Sequence, residues 1–270
     1  MIRSLLFPLS FLLLLVTFPG SAKGEEPRGN VILLLVDDWG WTDAGCLGSD
    51  LYETPNIDRL AESGTLFSQT YASCTVCSPS RAAILTGMEP TRSRVTDFID
   101  GHSDRYVNPP VLIPDWTQRL EHRHLSLAEA LRDAGYRTAH VGKWHLTPTT
   151  HEIERRLYWP EHHGFEINVA GNRHGMPGSF FWPYRGDRGY LATIEMWNMP
   201  PGEEGDYLTD ALTDEAVKII DYFQDEPFFL YFPYYTVHVP IEAKPELTAR
   251  FEEKVEEGMR HRDAEYAAMI

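Results

Sequence analysis

Cysteine is scarce in this chain, with three residues in 270, and so small a complement excludes a scaffold built from disulfides. The sequence leaves open whether Cys46 and Cys74 pair. Basic residues are also few: 24 lysines and arginines face 40 aspartates and glutamates, for a formal net charge of −16. Binding to phosphate backbones needs a basic surface, and with none evident a nucleic-acid partner is excluded. Internal repeats and low-complexity tracts are absent, which removes solenoids and extended disordered tails. Long hydrophobic runs are missing too. The main apolar stretch, residues 5–16, falls short of the ~20 residues that a stable membrane-spanning helix requires.

That stretch follows Arg3 and precedes Pro19-Gly20-Ser21-Ala22, the order of charged start, apolar centre and small-residue cleavage site found in secretory signal peptides. Residues 1–24 are therefore expected to be a signal peptide cut after Ala22, and residues 25–270 an exported, periplasmic or secreted domain. This remainder is long enough for one substantial core.

Its organisation is that of an α/β protein. Apolar runs at residues 30–36, 136–141 and 227–232 read as strands, the first of them as a strand buried on both faces of a parallel sheet. Thr54-Pro55 opens a helix that Gly64 closes, Ser126 and Glu129 form a capping box ahead of one closed by Gly135, and residues 208–223 carry apolar side chains at helical spacing. Strands alternating with helices imply a mainly parallel sheet with helices on both faces. Between residues 147 and 205 the pattern dissolves into glycine, proline, histidine and aromatic residues. Trp159, Trp182, Tyr184 and Trp197 are the candidates there for a substrate rim.

Each strand ends on residues with chemistry. Asp37-Asp38 follow the first, Gly142-Lys143-Trp144-His145 the second, and Thr236-Val237-His238 the third. Open α/β sheets bind ligands at the carboxyl ends of their strands, and adjacent carboxylates supply hard oxygens suited to calcium or magnesium. Taken singly, each of these groups reads as a solvated loop residue. A fourth element is the run Cys77-Ser78-Pro79-Ser80-Arg81-Ala82-Ala83-Ile84-Leu85-Thr86-Gly87. In isolation it is an ordinary helix, with proline near its first position and glycine past its end, preceded by a structural cysteine. A helix start also offers unpaired N–H groups to a sulfate or phosphate.

The run from Cys77 through Leu85-Thr86-Gly87 resembles the signature by which type I sulfatases, members of the alkaline phosphatase superfamily, have one cysteine oxidised to formylglycine. The Asp37-Asp38, Lys143, His145 and His238 segments are similar to motifs of that family in the same order. The resemblance implies a sulfuric ester hydrolase acting on an aryl sulfate or sulfated carbohydrate, matured by a formylglycine-generating or sulfatase-maturating enzyme. It implies that Asp37, Asp38 and modified Cys77 hold Ca2+, with Mg2+ an alternative. The formylglycine hydrate attacks sulfur and expels the alcohol, and the aldehyde re-forms as sulfate leaves. Arg81 would hold the diol, Lys143 bridge residue 77 and the sulfate, His145 take the proton of the second hydroxyl, and His238 contact the sulfate or protonate the leaving oxygen. A formylglycine phosphoesterase or phosphonate hydrolase shares this apparatus and is the alternative activity. In the family a later Asp-Asn pair and a second lysine complete the site, and neither follows here before the helix at residues 262–270. The chain is accordingly expected to be the amino-terminal portion of a sulfatase, with an inactive fragment as the third reading.

Overall fold

A computed structural model describes residues 29–101, 111–148 and 152–270, so the expected signal peptide lies outside the described residues. Strand β1 (Val31–Leu35) is followed by α1 (Pro55–Ser63), α2 (Cys77–Thr86), α3 (Pro90–Ser93) and α4 (Leu127–Asp133). Then come β2 (Arg137–Val141), α5 (Glu152–Arg156), β3 (Ile167–Val169), α6 (Leu208–Tyr222), β4 (Phe228–Pro233), α7 (Pro245–Glu252) and α8 (Ala264–Met269). The punctuation expected from sequence sets several of these ends. Pro55 stands at the start of α1, and Gly64 donates its N–H to Leu60 beyond the end. In α4 the Ser126 side chain accepts from the Glu129 N–H, while the Glu129 carboxylate accepts from the Ser126 N–H.

The four strands pair in the order β1-β4-β2-β3, all parallel. Alternation along β4 divides the core in two. Phe228, Leu230 and Phe232 face one layer with Ala139 and Val141 of β2 and Leu208, Leu212, Ala216 and Ile219 of α6. Phe229 and Tyr231 face the other, with Ala82 and Leu85 of α2, Ala128 of α4, Trp144 and Phe165. Helices thus cover both faces, as an all-parallel sheet requires.

Two expectations need correction. β1 is not buried on both faces: Leu33 and Leu35 pack into the α2 layer, but Ile32 is 47% and Leu34 53% exposed. The cause is position, because β1 is the sheet edge and α6 lies over β2 and β4 without reaching it. The segment 147–205 is not wholly loop either, since Ile167–Val169 forms β3 against β2. Three residues are too few for periodicity to reveal a strand. Cys46, Cys74 and Cys77 are all unpaired. Among the described residues no helix is long and apolar enough to cross a membrane.

Within the α2 layer His163 is completely buried, and neither ring nitrogen has a hydrogen-bond partner among the described residues. It stacks on His122 with ring centroids 4.8 Å apart. Burial, aided by the neighbouring His122 and His162, depresses its pKa to about 3. The unfolded chain binds a proton on this histidine near pH ~6.5 and the folded chain does not, so stability rises with pH across the interval between the two values. The contribution is complete above the unfolded pKa and is lost as pH falls toward the folded one. Unfolding of His163→Phe followed from about pH 6.5 down to 4.5 should show a pH slope shallower by up to about 1.4 kcal/mol per pH unit than the parent. Parallel curves for the two proteins would mean that His163 already carries its proton when folded.

Candidate active site

The carboxyl ends of β1, β2 and β4 and the start of α2 converge on one place. At the end of β1 the chain is tied to the segment after β4: Asp37 N–H donates to Thr236 O at 2.9 Å and Val237 N–H to Asp37 O at 2.8 Å. After β2, Gly142 adopts φ +115°, and a Cβ there would stand 2.0 Å from the Pro233 carbonyl oxygen. Only glycine permits this approach. It lets the Lys143 N–H donate to Pro233 O at 2.8 Å, which aims the following side chain across the strand ends. Gly142→Ala should displace Lys143 and destabilise the fold by several kcal/mol through left-handed strain plus overpacking. Thermal unfolding with an unchanged midpoint would show that the β2 end can yield without cost.

Lys143 and Arg81 are both buried, at 0% and 1% exposure, and both meet Asp37. Lys143 Nζ bonds Asp37 Oδ2, while Arg81 Nη2 lies 2.9 Å from Asp37 Oδ1 and its Nη1 donates to Lys143 O at 2.7 Å. Burial raises the Asp37 carboxyl pKa, but Lys143 and Arg81 more than offset this and hold it well below the usual range. Burial alone would lower the Arg81 pKa; the Asp37 carboxylate reverses that and raises it. Two buried cations therefore converge on one carboxylate.

Cys77 is the first residue of α2, and its Sγ lies 3.2 Å from His145 Nδ1. The other ring nitrogen, Nε2, is 2.8 Å from Ile99 O and must be the one that donates, since a carbonyl only accepts. Nδ1 is then a free acceptor pointed at residue 77. Ser78 locks the pair together: its hydroxyl donates to His145 O at 2.8 Å and accepts from the Ile99 N–H at 3.0 Å. Burial first, and Lys143 second, depress the His145 pKa to about 3, so the ring is neutral.

Asp38 adopts φ +56°, a conformation aspartate tolerates better than most residues. His238 Nε2 approaches Asp38 Oδ2 at 3.5 Å, and its Nδ1 donates to Val239 O at 2.9 Å. One ligand atom from each of Asp37, Asp38 and His238 lies within 4.8 Å of the others. Two carboxylates form a hard donor set appropriate to calcium or magnesium, though short of a full shell of six to eight oxygens. Cys77 does not belong to this group. It lies instead on a cavity of about 500 Å³ shared with Asp38, His145 and His238. Asp37, Asp38, Cys77, Arg81, Lys143, His145 and His238 are thus brought together.

Not every functional neighbour was foreseen. Asp100, Gly175, Met176 and Tyr190 also line the cavity, and a Cβ on Gly175 would stand 2.3 Å from His145 Cε1. No spacing or motif marks them. Conversely, Trp159, Trp182, Tyr184 and Trp197 do not line it. Tyr184 is buried, Trp159 and Trp197 pack on each other at 4.8 Å, and Trp182 stacks edge-on to Tyr184.

A family model for sulfatases matches residues 29–270. The chain belongs to the sulfatase family. It is 36% identical over 253 residues to N-acetylgalactosamine-6-sulfatase of Sus scrofa, covering 86% of this chain and 44% of that one. It is 32% identical to a sulfatase of Formosa agariphila over 92% of this chain and 51% of the other. Among solved structures, Ps i-CgsB in complex with k-i-k-neocarrahexaose superposes with a TM-score of 0.68 at 30% identity, over 90% of this chain and 51% of that one. The chain therefore spans about half the length of the relatives it matches. The parallel α/β fold is shared with these sulfatases.

Proposed function

We propose that this chain carries the nucleophile half of a sulfatase site that hydrolyses sulfate esters, aryl or carbohydrate, after Cys77 is oxidised to formylglycine. The observation that carries the reading is the Cys77–His145 contact at 3.2 Å beside the buried Asp37–Arg81–Lys143 cluster. As formylglycine, residue 77 supplies a hydrated aldehyde, an oxygen nucleophile that no encoded side chain provides. Asp37 and Asp38 would hold a divalent cation, whose contribution is Lewis-acid stabilisation of negative charge.

The chain's own groups account for the remainder. His145 Nδ1 accepts a proton from residue 77, and its Nε2–H remains anchored on Ile99 O. Lys143, already oriented by Asp37, extends its positive charge toward the transferring group, and Arg81 offsets charge at residue 77 from below. His238, with Nδ1 fixed on Val239 O, presents Nε2 to the cavity, where it can contact the sulfate or protonate the departing alcohol. Export by the amino-terminal segment and maturation by a formylglycine-generating enzyme complete the reading. Matched aryl sulfate and aryl phosphate esters offered to matured protein test it. Faster sulfate cleavage is expected, and preference for the phosphate ester would make the enzyme a phosphoesterase instead.

A further inference from the structure

The Asp38 side chain is weakly held for a cation ligand. It is 57% exposed, and its ion-pair contact is with His238 at 3.5 Å. Its place therefore depends on the backbone that carries it. On one side that backbone is fixed where Asp37 exchanges hydrogen bonds with Thr236 and Val237. On the other it enters a turn closed by Asp43, whose N–H donates to Gly40 O at 3.1 Å and whose Oδ2 accepts the Gly40 N–H at 2.9 Å. The carboxylate lies so close to this turn that a Cβ on Gly40 would stand 2.7 Å from Oδ2. Asp38 is thus bracketed by two anchored positions, and Asp43 makes one of them.

Asp43 is buried and is held in turn by the carboxyl-terminal part of the chain. The Tyr266 hydroxyl, from α8, donates to the same Oδ2 at 2.6 Å across 223 positions of sequence. Burial first, and the Asp43 carboxylate second, raise the Tyr266 pKa, so the hydroxyl keeps its proton and remains a donor. On the other oxygen, Asp43 Oδ1 lies 3.4 Å from Thr42 Oγ1 and 3.6 Å from His261 Nε2, which itself meets Thr42 Oγ1 at 3.2 Å. His261 Nδ1 donates to Asp50 Oδ1 at 2.6 Å, and the Arg260 and His261 N–H groups donate to the two Asp50 oxygens at 2.8 and 3.1 Å. Tyr52 packs on both anchors, with ring centroids 4.5 Å from His261 and 5.3 Å from Tyr266. The Asp50 bonds and this packing would suffice to tie residues 50–52 to residues 260–266. The Asp43 carboxylate goes further and extends the tie into the turn beside Asp38, and a satisfied buried network of this kind specifies one arrangement.

Resting on the reading that Asp37 and Asp38 hold the cation, we propose that Asp43, Tyr266 and His261 are positioning residues for that site: they fix the Gly40–Asp43 turn and so hold the Asp38 carboxylate where a divalent cation can take it. The affinity of the site is then set partly from residues 261–266, far from every strand end that supplies a ligand. Groups that orient metal ligands from outside the coordination sphere change affinity by about 10–100-fold when removed.

Calorimetric titration of the whole chain with calcium, at a temperature where thermal unfolding shows every variant folded, tests the assignment. Tyr266→Phe, which removes one hydroxyl and keeps the ring, should weaken calcium ~10-fold, and His261→Ala should do the same. His261→Gln, whose amide can still donate to Asp50 and accept from Thr42, should restore affinity to within a few-fold of the parent. Phe223→Leu is the control for stability alone: Phe223 packs on Phe228 at the opposite end of β4, with ring centroids 6.2 Å apart, and its loss should lower the unfolding temperature without changing affinity. A double-mutant cycle identifies the route, because Tyr266→Phe should add little once Asp38→Asn has removed the charged ligand. Calcium affinity unchanged in both Tyr266→Phe and His261→Ala would overturn the proposal and leave the cation reading standing. So would a loss that adds in full to that of Asp38→Asn, or an equal loss in Phe223→Leu. If the parent binds neither calcium nor magnesium, the cation reading itself fails and the positioning role falls with it.

Discussion

On the sulfatase reading proposed above, Cys77→Ala is expected to abolish sulfate ester turnover while leaving the fold in place. Among the described residues the side chain's hydrogen-bond contact is to His145 Nδ1, and α2 keeps its ties through Ser78 to His145 O and Ile99 N. Alanine suits a helix start sterically and favours helix intrinsically, so unfolding should shift by no more than about 1 kcal/mol. The chemistry has no such reserve. Without the precursor thiol no aldehyde forms, the covalent route closes, and the rate should fall by several orders of magnitude. Mass spectrometry of the Cys77 peptide beside aryl sulfate kinetics decides the matter. Full activity in protein whose residue 77 remains an unmodified thiol would refute the proposed nucleophile.

Asp37→Asn should produce the largest loss of stability among the site variants. Its carboxylate is the common counter-charge for two buried cations, Arg81 at 2.9 Å and Lys143, which are 1% and 0% exposed. Removing one member of such a cluster leaves uncompensated charge in the interior and costs about 3–5 kcal/mol. The same change removes a hard ligand from the Asp37, Asp38 and His238 group, so cation affinity should fall as well. Calcium titration by calorimetry and urea unfolding are independent readouts. Unchanged affinity with lost stability would make Asp37 purely structural, and both unchanged would place it outside the site. Asp38→Asn provides the contrast: its side chain is 57% exposed, and its recorded ion-pair contact is with His238 at 3.5 Å, so it should lower cation affinity with little effect on unfolding.

The sequence by itself determined the class of the fold and put the candidate site residues at the ends of its elements. Asp37-Asp38, Lys143, His145 and His238 each follow a strand, and Cys77 and Arg81 share a helix bounded by Gly87, so both their identity and their place at strand or helix ends were legible locally. Capping boxes and proline-glycine punctuation work over a few residues, which is why the ends of α1 and α4 were also readable. The tertiary structure decided whatever depends on neighbours distant in the chain. It made β1 an edge strand, exposing Ile32 and Leu34 that the apolar run alone would bury, because burial depends on which helix covers a strand and a run of leucines carries no record of that. It joined Asp37 to Lys143 across 106 positions and Cys77 to His145 across 68, contacts that exist only once the strands are in register. It also set Tyr190 in the cavity and kept the expected tryptophans out, since a wall is made by the path of a loop through space, and no periodicity encodes that path.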